Sequence, residues 1–266
     1  MDDATGARAG LAPFGVTAHD LRLAAACEHR ILNAWPAADT LFVEGWAVRF
    51  AKGYSGRANS ASAMIQDSNL NDETLDLIEQ LYRDAGLPPC IRITPLSHDE
   101  VEAKLEARGY RSITRALGMV AELGGASPQP PALHIAAQAD AAWVRNIAAR
   151  KTGAKKDADA ALTAIVSRIR LPAAFATVTL DGKPAAFGMG VAERGMAEIG
   201  CVMVDAAVRG RGLGRAAVKG LMGWARANGA TQAYLQVERG NATAVGLYRS
   251  LGFREVYGYA TMVRDV

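Results

Sequence analysis

The chain has 266 residues, half of them hydrophobic, and a formal net charge of +3 at pH 7. This length and hydrophobic content predict a buried core and exclude a largely disordered chain, and the small net charge argues against a general nucleic-acid or membrane-surface binder. The three cysteines and four histidines are scattered without the spacing of metal ligands. No signal-peptide or membrane-spanning pattern is present in the sequence. We therefore expect a reduced, cytoplasmic protein without a bound metal.

The first half of the chain predicts alternating helices and strands after a loose arm over residues 1–17. Asp20 is expected to cap a helix that ends at Trp35. Apolar and polar residues nearly alternate over 41–50, which predicts a strand covered on one side. Asn71 begins an amphipathic helix that stops at Gly86. The remaining predicted elements are a strand at 90–94, a helix at about 99–107 and a strand that runs to residue 123.

A stretch rich in glycine and proline, residues 124–131, has the composition of a linker between two domains. After it, the sequence predicts a strand near 133–136 and two helices, with a basic loop at 150–156 between them that we expect to be solvated. Asp181 and Gly182 form the turn of a predicted hairpin. The further predicted elements are a strand from Met196 to Val204, a helix beginning at Leu213, a strand at 233–237, a helix ending at Leu251 and a final strand.

The two halves share an order of elements and a spacing. The segments 86–109 and 229–252 each begin and end on glycine and each contain a strand and a helix. The common offset of 143 residues places 66–71, which has no glycine or arginine, opposite 209–214. The sequence therefore predicts two similar α/β domains in tandem, residues 18–123 and 132–266, of which only the second keeps a glycine-rich turn.

That glycine-rich turn lies between the predicted strand Met196–Val204 and the next helix, and it reads R-G-R-G-L-G-R. Glycines let the backbone approach a ligand closely, and the N–H groups and dipole of a helix N-terminus favour anions. The turn lacks the Lys-Ser/Thr ending of a triphosphate-binding loop and the spacing of a dinucleotide fingerprint. An ordinary tight turn is the alternative. The predicted diphosphate site consists of Arg209, Gly210, Arg211, Gly212, Leu213, Gly214 and Arg215.

Two segments together resemble signatures of the GNAT superfamily of N-acetyltransferases. Residues 202–214, V-M-V followed by the glycine-rich turn, are similar to the family's acetyl-CoA loop. Residues 241–253, N-A-T-A-V-G-L-Y-R-S-L-G-F, resemble its second signature, although Gly246 departs from the common pattern. The resemblance extends from about residue 133 to the C-terminus. It implies a mixed α/β (α+β) sheet flanked by helices, with acetyl-CoA as co-substrate. The implied contacts to acetyl-CoA come from Val202, Met203, Val204 and Asn241. For Asn241, the alternative is that it only caps a helix.

The resemblance also implies which residues move protons. A lysine-like amine has a pKa of about 10.4, so a base must deprotonate it before it attacks the thioester directly. Glu198 lies where histone-type members carry their catalytic Glu, and on a regular strand it would share a face with Gly200 and Val202. Tyr248 stands where the family places the acid that protonates the departing sulfur. The alternatives are an exposed or ion-paired Glu198, proton loss through a water chain, and a Tyr248 that only packs. A Cys201 thiolate nucleophile is the rival, but no histidine is close in sequence, and Cys201 is interpreted as a core residue.

The resemblance thus implies an N-acetyltransferase that moves an acetyl group from acetyl-CoA to a primary amine of a small molecule, a peptide or a protein. Two alternatives stay open. One is a non-catalytic acyl-CoA-binding sensor or assembly module, and the other is a structural role in which the first half forms a dimer or partner surface. No nucleic-acid or membrane partner is expected, and a homodimer is compatible with the sequence. Acceptor pockets are built from loops, so the acceptor itself has no readable sequence pattern.

Overall fold

The computed structural model describes residues 17–125, 132–150 and 157–265 of the chain. Most of the predicted arm and linker, and the basic loop from 151 to 156, lie outside these ranges. The elements that precede the predicted linker are α1 (Ala18–Ala34), β1 (Asp39–Val43), β2 (Trp46–Phe50), β3 (Ala61–Ala63), α2 (Asp72–Asp84), β4 (Cys90–Ile93), α3 (Val101–Ala107) and β5 (Arg111–Glu122).

The elements that follow the predicted linker agree with the sequence predictions to within a few residues at each end. The strand that leads into the glycine-rich turn ends at Val204, and the helix after the turn begins at Leu213, both as predicted. In chain order these elements are β6 (Leu133–Ala136), α4 (Ala141–Arg150), α5 (Ala158–Val166), β7 (Ala173–Leu180), β8 (Lys183–Glu193), β9 (Met196–Val204), α6 (Leu213–Ala227), β10 (Gln232–Glu238), α7 (Ala242–Arg249) and β11 (Arg254–Val263).

All of these strands belong to one mixed sheet of eleven strands, in the order β1-β2-β3-β4-β11-β5-β10-β9-β8-β7-β6. Two neighbouring pairs are parallel, β3 with β4 and β9 with β10, and the other pairs are antiparallel. Each parallel pair is joined by a helix, α2 in the first case and α6 in the second, because parallel neighbours need a long crossover.

The last strand of each half lies between strands of the other half. β5 pairs with β10 on one side and with β11 on the other, and β11 pairs in turn with β4. The elements β1-β2-β3-α2-β4-α3-β5 also recur in the same order as β7-β8-β9-α6-β10-α7-β11. The two halves therefore share one continuous sheet, and the division into tandem domains stays a prediction.

Helices cover both faces of this sheet. Along β7, Phe175 belongs to a core cluster with residues of α1, α4 and α5, whereas its neighbours Ala174 and Ala176 belong to a cluster with residues of α6 and α7. This division follows from the alternation of side chains along a strand. Among the described residues, no helix combines the length and the apolar character that a membrane crossing requires. The predicted class, a mixed α/β sheet flanked by helices, is confirmed.

The single strand predicted over residues 41–50 is wrong in one respect. The structure divides it into β1 and β2, which pair as a hairpin around Glu44 and Gly45. Both turn residues have positive φ, 43° and 82°, as in the tight turns that match the twist of a hairpin. The alternating pattern continues through the turn, so it did not reveal the break.

Candidate active site

β9 and β10 separate partway along their length. They pair only over residues 196–198 and 232–234, although β9 continues to Val204 and β10 to Glu238. Beyond Glu198, no described strand pairs with the side of β9 that faces away from β8, and we call the space between the two diverging strands the cleft. Unpaired strand edges bind extended chains that carry amide groups. The predicted acetyl-CoA contacts, Val202, Met203 and Val204, lie along this open edge.

A β-bulge interrupts β9 inside the cleft. Cys201 has a φ of 51°, and the pairing of β8 with β9 shifts register between Phe187 and Met189, opposite this residue. The bulge reverses the side-chain alternation. Glu198 points to the face that carries α1, whereas Val202 packs with α6 and α7 on the opposite face. The expectation that Glu198 and Val202 share a face is therefore wrong, because it assumed a regular strand.

The carboxyl group of Glu198 is fully enclosed, with 1% of the residue's surface exposed. The indole Nε1 of Trp35 donates to its Oε1 over 3.3 Å, and its Oε2 has no hydrogen-bond partner in the described part of the chain. Burial raises the pKa of Glu198 to about 7, against the opposing effects of the Arg57 charge and the Trp35 hydrogen bond. A carboxyl group with this pKa is divided between its two protonation states at neutral pH, as a general base requires.

The backbone next to Glu198 leaves room for this carboxyl group. A Cβ built on Gly200 would collide with the Glu198 carboxylate, so a larger residue at position 200 would displace it. Gly200 thus contributes to the site because the Glu198 carboxylate occupies the space that a side chain at position 200 would fill.

Tyr248 lies on α7 and is buried, with its ring edge-on to Phe253 at a centroid distance of 5.9 Å. The charges of Arg57 and Glu198 both act on its hydroxyl, so the two predicted catalytic residues are in the same region of the molecule. Burial raises the pKa of Tyr248 to about 12. The phenol therefore stays protonated at neutral pH and retains a proton to donate.

The glycine-rich turn has the backbone geometry of a ligand cradle. Gly210 and Gly212 both have a φ of 77°, and a Cβ added to either would meet no atom within 4 Å, so the backbone is open on that side. Gly214 packs closely against Val204 and Leu247, which brings the start of α6 to the end of β9. Asp205, before the turn, is ion-paired with Arg150 over 2.7 Å.

The three arginines of the turn are exposed and have no carboxylate within salt-bridge distance among the described residues. Arg215 donates to the Ser250 hydroxyl over 2.6 Å. Together with the N-terminus of α6, they form a concentration of positive charge at the end of the open edge of β9. The residues of the predicted diphosphate site all lie on this turn and the first turn of α6, and their contact with a diphosphate stays a prediction: Arg209, Gly210, Arg211, Gly212, Leu213, Gly214 and Arg215.

Asn241 is the N-cap of α7, since its side chain accepts a hydrogen bond from the Ala244 N–H over 3.1 Å. This is the plain capping role that the sequence left open. A contact with pantetheine stays a prediction. Within the described ranges, no group of three or more histidine, cysteine, aspartate or glutamate side chains is placed to hold a metal.

Sequence reasoning missed the residues that the first half contributes to the cleft. The sequence predicts Trp35 only as the end of α1 and predicts no role for Arg57, yet Trp35 donates to Glu198 and the charge of Arg57 acts on that carboxyl group. A tryptophan at a helix end was the available signal, because a buried indole N–H needs an acceptor. Its partner lies 163 residues away, so no local pattern identifies it.

A family model described as "Probable histone acetyltransferase Rv0428c C-terminal" matches residues 22–261. The uncharacterized N-acetyltransferase YobR of Bacillus subtilis (strain 168) is 24% identical over 230 residues, which are 84% of this chain and 91% of that protein.

Solved structures give the same fold. A GCN5-related N-acetyltransferase from Kribbella flavida has a TM-score of 0.68 at 16% identity, covering 93% of this chain and 96% of its own. A putative GNAT-family acetyltransferase from Novosphingobium aromaticivorans DSM 12444 has a TM-score of 0.55 at 20% identity, covering 85% and 92%. The family match spans most of the chain and agrees with the fold and with the predicted signatures. The chain therefore belongs to the Rv0428c C-terminal acetyltransferase family, within the GNAT N-acetyltransferases.

Proposed function

We propose that this acetyltransferase moves an acetyl group from acetyl-CoA to a primary amine by direct attack, without an acyl-enzyme. The observation that carries the proposal is the position of Glu198. It is a buried carboxyl group with a pKa of about 7, located where β9 and β10 separate. The same strand leads to the glycine-rich turn. A base and an anion cradle at the two ends of one open strand edge suit a ligand with a diphosphate and an extended amide-bearing arm.

The residues present fit acetyl-CoA at three places. The arginines of the turn, none of which has a described carboxylate within salt-bridge distance, and the open glycines suit the diphosphate. The free edge of β9 suits the amides of the pantetheine arm, through the backbone of Val202, Met203 and Val204. When bound, acetyl-CoA supplies an activated thioester. A β9 backbone N–H near Met203 or Val204 would polarise the thioester carbonyl as an oxyanion-type donor.

Two side chains account for the protons. Glu198 accepts a proton from the acceptor ammonium, directly or through water, which frees the nitrogen lone pair to form the new C–N bond. Tyr248 donates its phenolic proton to the sulfur as the C–S bond breaks, and it recovers a proton afterwards. After the C–N bond has formed, the nitrogen loses a second proton, which restores the phenol of Tyr248. The products are an N-acetylated amine and the CoA thiol, so atoms and charge balance when the Glu198 proton returns to solvent.

We also propose that the first half is a degenerate relative of the second. Its element order matches, but α2 is preceded by Asn69, Leu70 and Asn71 where α6 is preceded by glycine and arginine. Leu105, at the position that corresponds to Tyr248, is fully buried in an apolar cluster. One acetyl-CoA per chain is the expected stoichiometry.

The first test is calorimetric titration and thermal shift of the purified protein with acetyl-CoA, with ATP and NAD as controls. A ligand that binds only the folded state raises the melting temperature. Selective stabilisation at one site per chain, followed by CoA release with an amine, supports the proposal. Binding without turnover of any amine favours the sensor alternative, and no binding of acetyl-CoA refutes both.

A further inference from the structure

Arg57 brings an unpaired positive charge into the cleft. It lies in the loop between β2 and β3, in the first half of the chain. Its Nε donates to the Gln236 side-chain Oε1 over 3.3 Å, and its Nη2 donates to the Gln236 carbonyl over 3.0 Å. Its Nη1 makes no hydrogen bond to a described residue, and no described carboxylate lies within salt-bridge distance. The guanidinium is half-buried, so it is not simply a solvated surface charge.

A buried polar network fixes the direction of Gln236. Its Nε2 donates to Glu28 Oε1 over 2.8 Å and to the Tyr257 hydroxyl over 3.1 Å. Glu28 also accepts from Tyr257 over 2.6 Å and forms an ion pair with Arg92 over 2.9 Å, with both charged residues almost fully buried. Since its amide nitrogen is held by this network, Gln236 must present its oxygen to Arg57.

Such a network contributes little to stability, because the desolvation of a buried ion pair offsets most of its attraction. Its geometric effect is definite. It links α1, β4, β10 and β11 to one arginine, whose Nη1 has no hydrogen-bond partner among the described residues. The guanidinium of Arg57 is thus held in one position by its hydrogen bonds to Gln236, and a residue that binds a ligand needs such a fixed position.

Arg57 and Glu198 contact the same indole ring. The guanidinium carbon of Arg57 lies 5.4 Å from the centroid of Trp35, and the Nε1 of Trp35 donates to Glu198. The proposed base and the unpaired cation are therefore neighbours across one aromatic side chain. A ligand that places an amine at Glu198 brings the substituents of that amine close to Arg57.

We propose that Arg57 binds a carboxylate of the acceptor, and that the acceptor is an amino acid, a small molecule with an amine and a carboxylate a few bonds apart. The inference rests on the proposed acetyl transfer and names its substrate class. The amine gives its proton to the enclosed Glu198 through water, and the carboxylate accepts hydrogen bonds from the Nη1 of Arg57, which has no hydrogen-bond partner among the described residues. A charged hydrogen bond of this kind selects strongly against a neutral isostere.

The test compares free amino acids with their carboxamides as acceptors for the full chain, with simple diamines as amines that lack a carboxylate. CoA release gives kcat/KM for each. The expected preference for the carboxylate over its carboxamide is about tenfold or more, from a hydrogen bond to a charged group. In Arg57→Gln that ratio falls to near one, mainly through KM for the carboxylate. Arg57→Lys keeps an intermediate ratio, and Arg22→Gln, at an exposed arginine of α1, leaves it unchanged.

Each other result contradicts the assignment. If Arg57 only adjusts the charge on Glu198, Arg57→Gln moves the pH dependence equally for both acceptors and leaves their ratio unchanged. Acetylation confined to diamines and carboxamides also overturns the proposal, as does a chain that binds acetyl-CoA but acetylates no member of the panel. Failure to bind acetyl-CoA refutes the proposed function itself, so the two failures are distinguishable.

Discussion

Replacing Glu198 with glutamine is expected to stabilise the protein at pH 8 and to have a much smaller effect at pH 5. Burial raises the pKa of Glu198 to about 7 in the folded protein, from an ordinary value of 4.5. Between these values the folded protein holds a proton that the unfolded chain has released, so stability falls as the pH rises through this window. Above pH 7 the full cost of ionising the buried group is present. Glutamine is neutral at every pH and avoids it.

The size of the effect follows from the two pKa values. Each unit of pKa difference is worth about 1.4 kcal/mol. Relative to the glutamine variant, the free energy of unfolding of the wild type is therefore lower by about 3 kcal/mol at pH 8 and by about 1 kcal/mol at pH 5. For a chain of this length, about 3 kcal/mol corresponds to a melting temperature about 6 °C higher. Calorimetric melting at pH 5, 6, 7 and 8 measures it. The control is Glu238→Gln, an exposed carboxylate on β10.

A variant with the same shift at pH 5 and pH 8, or one that is less stable at pH 8, would show that the Glu198 carboxyl group is not held in a dry environment. The argument for a poised base would then fail. The same pKa predicts that kcat/KM of the wild type rises with pH up to about 7 and then levels. Glu198→Gln should lower it about 100-fold or more if the residue is the base.

The other predictions concern the acid, the cradle and the space beside the base. Tyr248→Phe keeps the buried ring and should lower kcat about tenfold or more with unchanged acetyl-CoA affinity, as measured by CoA release and calorimetry; an unchanged kcat excludes the acid role. Gly212→Asp places a negative charge on the turn, at a residue with positive φ, and should lower acetyl-CoA affinity about 100-fold. The control Gly86→Asp, also at positive φ, should leave the affinity unchanged. Equal affinities of the two variants would show that the diphosphate does not bind at this turn. Gly200→Ala should displace the Glu198 carboxylate and lower kcat/KM about tenfold, and wild-type kinetics would contradict the described contact.

The strand, turn and helix around residues 196–227 could be predicted because their signals are local. A short apolar run, three glycines and a helical period lie within thirty residues of one another, and each acts on the backbone nearby. The same holds for α2, where Asn71 accepts a hydrogen bond from the Thr74 N–H over 2.8 Å, as a cap in that sequence position should.

The environment of Glu198 could not be predicted, because its determinants are distant in sequence. Trp35 contacts the carboxyl group, and Arg57 contacts the indole ring of Trp35, only after the two halves share a sheet. No periodicity in the sequence indicates that pairing. The bulge at Cys201 was missed for a different reason. A bulge adds one residue to a strand without changing its apolar composition, so the run from 196 to 204 has the composition of a regular strand.

The exchange of last strands also has a consequence for how this chain can be divided. A fragment cut at the predicted linker and beginning near residue 132 would lack β5, the strand between β10 and β11. The β10 edge that now pairs with β5 would be bare, and the buried Leu117 and Met119 would be missing from the core beneath α6 and α7. That half carries both proposed proton-transfer residues, yet we expect that it does not fold as a separate catalytic unit. Activity and cooperative unfolding should belong to the whole chain alone.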